Sequence, residues 1–359
     1  MWLLYYYLRT WLACIRRHKS FHVTDCYKGG TMYCSYQGKD KKNKLQVFRE
    51  LNRLSKYWRG YPDTYFRFSM FLKEYGDFEK MTSFIPQCAY GRYSRNDVTA
   101  YQILINDKIL FHDIMRIYGL PTTERYFAFC HDQFIRNGQI IPDAEVDEIL
   151  ASITDKRIFI KRNQCGEGSG VSIADYKEDG FYTKDNIRLT AETIRRNYND
   201  DEYLFEKKIV QDPQTEQFNP DSVNTCRVTT YKNKVVSGAL RMGRKGSFLD
   251  NAAKGGIVVN IDIDNGQLSD YGLREYMVTK YYEHPDSHVA FKGVKIKNWD
   301  KIKELVEKTC QLLPYYRSVG FDIVCTPSGP IILEINTGTG VYASQMGREY
   351  GIADAFLKG

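Results

Sequence analysis

No Cys-x-x-Cys pair occurs in this chain, and its nine cysteines are scattered and odd in number. That argues against a disulfide framework or a zinc-ribbon ligand set and suits reduced thiols in a cytoplasm. No internal repeat or low-complexity tract is present. Charged residues at 26% beside hydrophobic residues at 43% argue against global disorder. No apolar run is long enough to span a bilayer. The best candidate, residues 1–15, is interrupted by Arg9 and followed by Arg16-Arg17-His18-Lys19. A signal peptide carries its positive charge before the apolar stretch, whereas here it comes after. The segment reads instead as a helix within residues 1–20. It either packs on the protein or lies on an anionic membrane surface with its basic end toward the lipid. The expected location is cytoplasmic, with the inner membrane face as the peripheral alternative. A net charge of +7 suits an anionic ligand but is too mild for the basic footprint of a nucleic-acid binder.

What is present is enough chain, 359 residues, for two or three domains and a large core. Residues 1 to about 80 read as helical and basic, with Gly29-Gly30 and Gly60-Tyr61-Pro62 as breaks. Apolar Leu45, Phe48, Leu51 and Leu54 have helical spacing over residues 40–57. Ile109, Leu110, Ile114 and Ile117 do the same over residues 106–118, which end at Gly119-Leu120-Pro121. Strand-like runs cover residues 125–129, 157–161, 203–210, 226–231, 235–240 and 256–262, and a further helix is expected over 299–313. Strands and helices interleave without a regular βαβ period, which predicts α+β lobes rather than one doubly wound sheet.

The most informative chemistry lies in the last fifty residues. Gly320-Phe321-Asp322-Ile323-Val324 reads as an apolar strand, Pro327-Ser328-Gly329-Pro330 as a turn, and Ile331-Ile332-Leu333-Glu334-Ile335-Asn336 as a second strand. Alternation along a strand turns Glu334 and Asn336 to one face, and hairpin pairing lets Asp322 reach it. Oxygen ligands on otherwise apolar strands are costly to bury without a cation between them. Two carboxylates and an amide, without His or Cys, suit Mg²⁺, whose other ligands are commonly nucleotide phosphates. Solvated carboxylates on a hairpin would give the same pattern.

A second candidate is Ile158-Phe159-Ile160-Lys161, a strand that runs through Arg162-Asn163-Gln164 into Cys165-Gly166-Glu167-Gly168-Ser169-Gly170. Glycines let backbone N–H groups approach a phosphate closely, and Lys161 adds a point charge. This is neither a Walker loop nor a GxGxxG turn before a helix, and a flexible hairpin tip would look alike. The run Tyr203 to Val210 is a strand that reads equally as core. Arg227 and Arg241 sit among apolar and small residues. A half-buried arginine needs an anionic partner, either a structural carboxylate or a transferring phosphoryl group. His284 and His288 are separated by Pro285, which breaks a helical i, i+4 face, so both read as loop or surface residues.

Taken in order, these pieces resemble the ATP-grasp superfamily, and more narrowly its sugar-transfer-associated branch. The resemblance rests on Lys108, the Lys161 strand with its glycine loop, Glu206, Ser222-Val223-Asn224-Thr225-Cys226-Arg227, Arg241, Asp250-Asn251 with Gly255-Gly256, Asn298-Trp299-Asp300, and the Asp322, Glu334 and Asn336 segments. It covers about residue 85 to the C-terminus. It implies an ATP-grasp fold of two α+β lobes gripping ATP, with a helical N-terminal extension over residues 1–84 (a cap or docking surface). The first lobe with its glycine loop would span 85–210, and the second with the Mg site 211–359.

The resemblance further implies that Lys108 and Lys161 contact phosphates and that Gly166, Gly168, Ser169 and Gly170 form a lid. Glu206 would meet the adenine amino group, with backbone around Lys207 to Ile209 completing that pocket. Asp322, Glu334 and Asn336 would hold Mg²⁺, two ions, and Arg227 and Arg241 would stabilise the phosphoryl group. Asp250, Asn251, Lys254 and Gly256 border the implied acceptor pocket, though they read equally as solvent-exposed loop.

The implied reaction is ADP-forming ligation of a carboxylate to an amine or sugar-linked acceptor through an acylphosphate, in cell-surface polysaccharide assembly. A small-molecule or sugar kinase on the same fold is the alternative. A non-catalytic nucleotide-binding module is disfavoured, because Asp322, Glu334, Asn336, Lys161 and Arg227 are all intact. Glu167 stands in the glycine loop where the family favours small residues, and residues 212–221 interrupt the segment in which a ribose contact would lie.

Overall fold

The computed structural model describes residues 23–94, 99–165, 170–247, 250, 255–276, 278–337 and 340–358. The chain forms two compact units. The first comprises residues 1–97, 214–320 and 338–359, and the second residues 98–213 and 321–337. Among the described residues no helix is long and apolar enough to cross a membrane. The expected helix of residues 1–15 lies outside the described residues.

The second unit is built on seven antiparallel strands: β1 (Arg125–Cys130), β2 (Gln133–Arg136), β3 (Gln139–Ile141), β4 (Arg157–Arg162), β5 (Val171–Lys177), β6 (Gly180–Thr183) and β7 (Tyr203–Lys207). Their order is β3-β2-β1-β7-β4-β5-β6, so β7 inserts between two strands that precede it in sequence. Phe127, Phe129, Phe134, Ile158, Ile160, Phe181 and Phe205 fill the core on one side. Phe127 and Phe205, register partners on β1 and β7, stack with centroids 4.6 Å apart. β7 stops at Lys207, whose neighbour on β4 is Ile158 near that strand's start, so residues 208–210 leave the sheet and Val210 is exposed. The strand expected to continue to residue 210 is therefore three residues shorter.

The first unit carries β8 (Thr225–Tyr231), β9 (Lys234–Met242), β10 (Ile257–Ile261) and β11 (Leu268–Leu273), antiparallel in that sequence. The helix Trp299–Leu312 lies against β9. A Cβ on Gly238 would come within 2.7 Å of the Trp299 ring, so the glycine is what permits this approach. Ala239 and Val258 share one core with Leu51, Tyr65, Phe66, Phe71, Phe84 and Phe356 from the helical segments at the two ends of the chain.

The helix Lys44–Trp58 opens with a capping box between Asn43 and Gln46 and ends at Arg59 in the left-handed region. Its buried stripe is Val47, Leu51, Leu54 and Trp58, while Leu45 is exposed, so the expected stripe was partly out of phase. Gly29-Gly30 does not break a helix: Val23–Ser35 runs through it. Gly29 instead admits Phe66, whose Cβ would lie 2.3 Å from any Cβ placed there.

β12 (Ser318–Thr326) and β13 (Gly329–Asn336) pair as the expected hairpin. Within the first unit the Ser318 hydroxyl donates to the Thr230 carbonyl at 2.7 Å. Within the second unit the Thr122 hydroxyl donates to the Ile332 carbonyl at 2.7 Å, and the Ile332 N–H donates to the Pro121 carbonyl at 2.9 Å.

Candidate active site

The centre of the second unit is a buried charge cluster. Lys161 Nζ lies 2.6 Å from Glu206 Oε2, and His112 Nε2 lies 3.0 Å from Glu206 Oε1. Glu206 is 2% exposed. β4 delivers Lys161 at its C-terminal end, β7 delivers Glu206, and the helix Lys108–Ile117 delivers His112. Burial opposes the charge on Glu206, but Lys161 and His112 outweigh it and hold the carboxyl well below the usual carboxylate range. Both oxygens of Glu206 are engaged, one by the Lys161 ammonium and one by the His112 imidazole, so its geometry is that of an anchor for Lys161.

Lys108 follows Asp107, whose carboxylate caps the helix by accepting from Leu110 N–H at 2.9 Å. The Lys108 ammonium donates to the backbone carbonyls of Asn163 and, at 2.6 Å, of Cys165. Burial lowers its pKa, and the nearby Glu334 carboxylate works against that shift. The fully buried Asn163 joins these parts. Its amide donates to Asp107 at 2.7 Å and to Glu202 at 2.6 Å, while its oxygen accepts from Lys108 N–H at 2.7 Å. The helix start and the end of β4 are thus locked together where the glycine segment begins. Gly170 closes that segment at φ +75°, a conformation costly for side chains, and its carbonyl accepts from Arg162 N–H. Gly166, Gly168 and Ser169 lie outside the described residues.

On the hairpin, Asp322 is buried and Glu334 and Asn336 are half-buried. Asn336 Nδ2 lies 3.4 Å from Asp322 Oδ2, so strand pairing does bring these side chains onto one face. The Thr337 hydroxyl, at the hairpin's end, lies 3.5 Å from Asn106 Oδ1, just before Lys108. An all-oxygen donor set, partly desolvated and close to a lysine, is the chemistry that fits a hard cation with phosphate as co-ligand. Lys207, half-buried, pairs with Glu124 at 3.3 Å, and Ile209 lies beyond β7 in the segment that leaves the sheet.

In the first unit, Arg227 is a buried residue of β8 and Arg241 a residue of β9. Arg241 Nη2 donates to Asp250 Oδ1 at 2.8 Å, and Asp250 also accepts from the Thr225 hydroxyl and, at 3.1 Å, from Thr225 N–H. The carboxylate partner that a half-buried arginine requires is therefore Asp250. Gly256 is buried at the start of β10, and Asn251 and Lys254 lie outside the described residues.

Sequence reasoning passed over His112, Asn163, Asp107 and Glu202. One signal was available for His112: it lies four residues after Lys108, on the same helical face. The buried face of that helix is Ile109, Phe111, His112 and Met115, while Leu110 and Ile117, expected in the core, are exposed. His284 lies in a loop, as expected, but not at the surface. It is fully buried, with Nε2 2.9 Å from the Gly243 carbonyl, whereas His288 is exposed beside Glu283.

The description of one protein family, the sugar-transfer associated ATP-grasp proteins, matches residues 92–357. No curated protein matches the chain. Among solved structures, the chain is similar to a D-alanine–D-alanine ligase from Bacillus anthracis complexed with ATP. Identity there is 14% over 70% of this chain and 60% of that one, with a TM-score of 0.39. A RimK domain ATP-grasp protein from Sphaerobacter thermophilus is similar at 12% identity over 72% of this chain and 69% of that one, with a TM-score of 0.38. The chain spans about three fifths of the length of the first of these. The family match covers most of the chain, including every residue of the charge cluster and the hairpin, and this chain belongs to the sugar-transfer associated ATP-grasp family.

Proposed function

We propose that the protein is an ATP- and Mg²⁺-dependent ligase that joins a carboxylate to an amine or sugar-linked nucleophile through an acylphosphate, in the assembly of cell-surface polysaccharide or glycoconjugate. The observation that carries this reading is the grouping, within one unit, of Lys108 and Lys161 with the oxygen donors Asp322, Glu334 and Asn336. Charge in phosphoryl transfer spreads over equatorial oxygens, so fixed cations do most of the work. Lys108 and Lys161 contact the phosphates, and Glu206 with His112 holds Lys161 in place. The backbone of residues 208 and 209, which leave the sheet after Lys207, is available to the adenine edge. Asp322, Glu334 and Asn336 are the residues that would hold Mg²⁺, which would supply neutralisation of phosphate charge there. Arg227 is assigned to the phosphoryl group in transit, while Arg241 already has its carboxylate in Asp250.

In the first step a carboxylate oxygen attacks the γ-phosphorus and ADP leaves. In the second the nucleophile forms a bond to the acyl carbon, phosphate leaves and the nucleophile loses a proton. The test is ADP release with Mg²⁺ against pooled carboxylates, amines and sugars, with hydroxylamine as the trap. Hydroxamate that depends on one carboxylate pool supports the ligase. ADP release with a stable phosphoester and no hydroxamate replaces it with a kinase.

A further inference from the structure

The first unit contains a cavity of about 670 Å³, within the range of small-molecule sites. Its walls come from three separate stretches: residues 67–80, β10 and β11 with the residues that follow them, and residues 346–351. The first of these precedes the family match, which begins at residue 92.

Five basic residues line it against three acidic ones. Two of those acids already have lysine partners, Glu74 with Lys280 at 3.6 Å and Asp270 with Lys292 at 3.2 Å. Three guanidinium groups line the wall, and two of them are fixed by partners within the unit. Arg67, 8% exposed, is held by Glu275 at 2.7 Å and by the Tyr276 and Tyr342 rings, whose centroids lie 4.6 and 3.6 Å from its guanidinium carbon. Arg348 is held by Asn260 and by the Tyr350 carbonyl, both at 3.2 Å. Arg274 is the informative one. Its Nε–H is buried and has no hydrogen-bond partner among the described residues. That nitrogen is turned away from the cavity, so the part of Arg274 that can meet a ligand there is its Nη pair, which can still grip a carboxylate or phosphate with two parallel hydrogen bonds.

The cavity also has a definite place relative to the residues assigned to chemistry. Gly255 lies against Arg274, since a Cβ there would be 2.7 Å from its Nη2. That glycine ends the segment of Asp250, the partner of Arg241. On the sheet, Ala239 is the register partner of both Arg227 and Asn260, so these two flank it on one face. A molecule in the cavity, against Asn260, therefore sits on the same sheet face as Arg227.

We propose that this cavity binds a small organic anion, a carboxylate or phosphate ester, through Arg67, Arg274 and Arg348, and that this anion is the acceptor or donor substrate of the ligase. Binding stands on the cavity alone, and only the substrate role rests on the ligase reading. Tyr75, Tyr271 and Tyr350 line the cavity with Ser69, Ser269 and Asn260, a mixture suited to a hydroxylated ring.

The test is ligand-observed NMR titration of the full chain, without nucleotide, using D-glucuronate, D-glucose 6-phosphate and neutral D-glucose as ring-matched probes. An anionic probe should bind at least tenfold more tightly than glucose, and which one binds better identifies the head group. Arg274→Met should weaken that binding at least tenfold while Mg·ATP binding, the control for folding, is retained. If Arg274→Met does not fold, Arg274→Lys, which keeps the charge but lacks the fork, should still bind severalfold more weakly than the native chain. Equal binding of glucose, no binding of any probe, or binding indifferent to both substitutions overturns the proposal. Anion binding that survives while hydroxamate never forms would leave the site standing and remove the ligase reading instead.

Discussion

Glu206→Gln removes one charge from the cluster while keeping the shape of the side chain. Glu206 has a side chain 3% exposed and Lys161 one 18% exposed, at a separation of 2.6 Å. Removing one partner of a buried pair costs about 3–5 kcal/mol, chiefly because the other charge is left without compensation. The residual solvent access of Lys161 places the expected cost near about 3 kcal/mol. Hydrogen exchange at the β4 and β7 amides reads this unit directly, and about 3 kcal/mol corresponds to roughly hundredfold faster exchange. Lys161→Met should cost a similar amount. The double variant should fall short of the sum by about 1–3 kcal/mol, because the two side chains touch. The pH dependence has a definite sign. Glu206 is held below its ordinary value, despite a burial that opposes its charge, by Lys161 and His112. Its contribution is fully present above the ordinary carboxylate range and is lost as pH falls below it. The difference between native and Glu206→Gln chains should therefore shrink from about pH 5 downward. Unchanged exchange in β4 and β7 at neutral pH would refute the account of this cluster as a coupled, buried anchor.

Glu334→Gln should abolish ADP release while circular dichroism and thermal unfolding stay close to native, and normal turnover would remove the cation assignment. Gly238→Ala should destabilise the first unit by about 1–3 kcal/mol in urea unfolding, since its methyl meets the buried Trp299 ring at 2.7 Å. Burial lowers the pKa of His284 despite its bond to the Gly243 carbonyl, so its neutral form is favoured in the fold. That contribution is present above about pH 6.5 and lost as pH falls. The native chain should lose more stability between pH 7.5 and 5.5 than His284→Gln does, and equal losses would refute it.

The sequence by itself determined the parts of this protein that depend on local periodicity and order. Alternation put Glu334 and Asn336 on one face, and the turn between two apolar strands brought Asp322 to that face. Charged and apolar spacing located the helices Lys44–Trp58, Lys108–Ile117 and Trp299–Leu312 to within a few residues. The ordered series of motifs between Lys108 and Asn336 identified the family. What lay beyond reach was set by contacts between distant segments. β7 enters between β1 and β4, and only that insertion brings Glu206 to Lys161 and His112. Asn163 reads as an ordinary loop residue until the fold surrounds it with Asp107, Glu202 and Lys108. Gly29 reads as a helix breaker until Phe66 packs onto it, and the loop residue His284 reads as surface until the Gly243 carbonyl meets it in the core. A carboxylate or amide carries the same chemistry in any sequence context. Its charge state, its partner and its strength are set by which groups the tertiary fold desolvates together, and no local pattern records that.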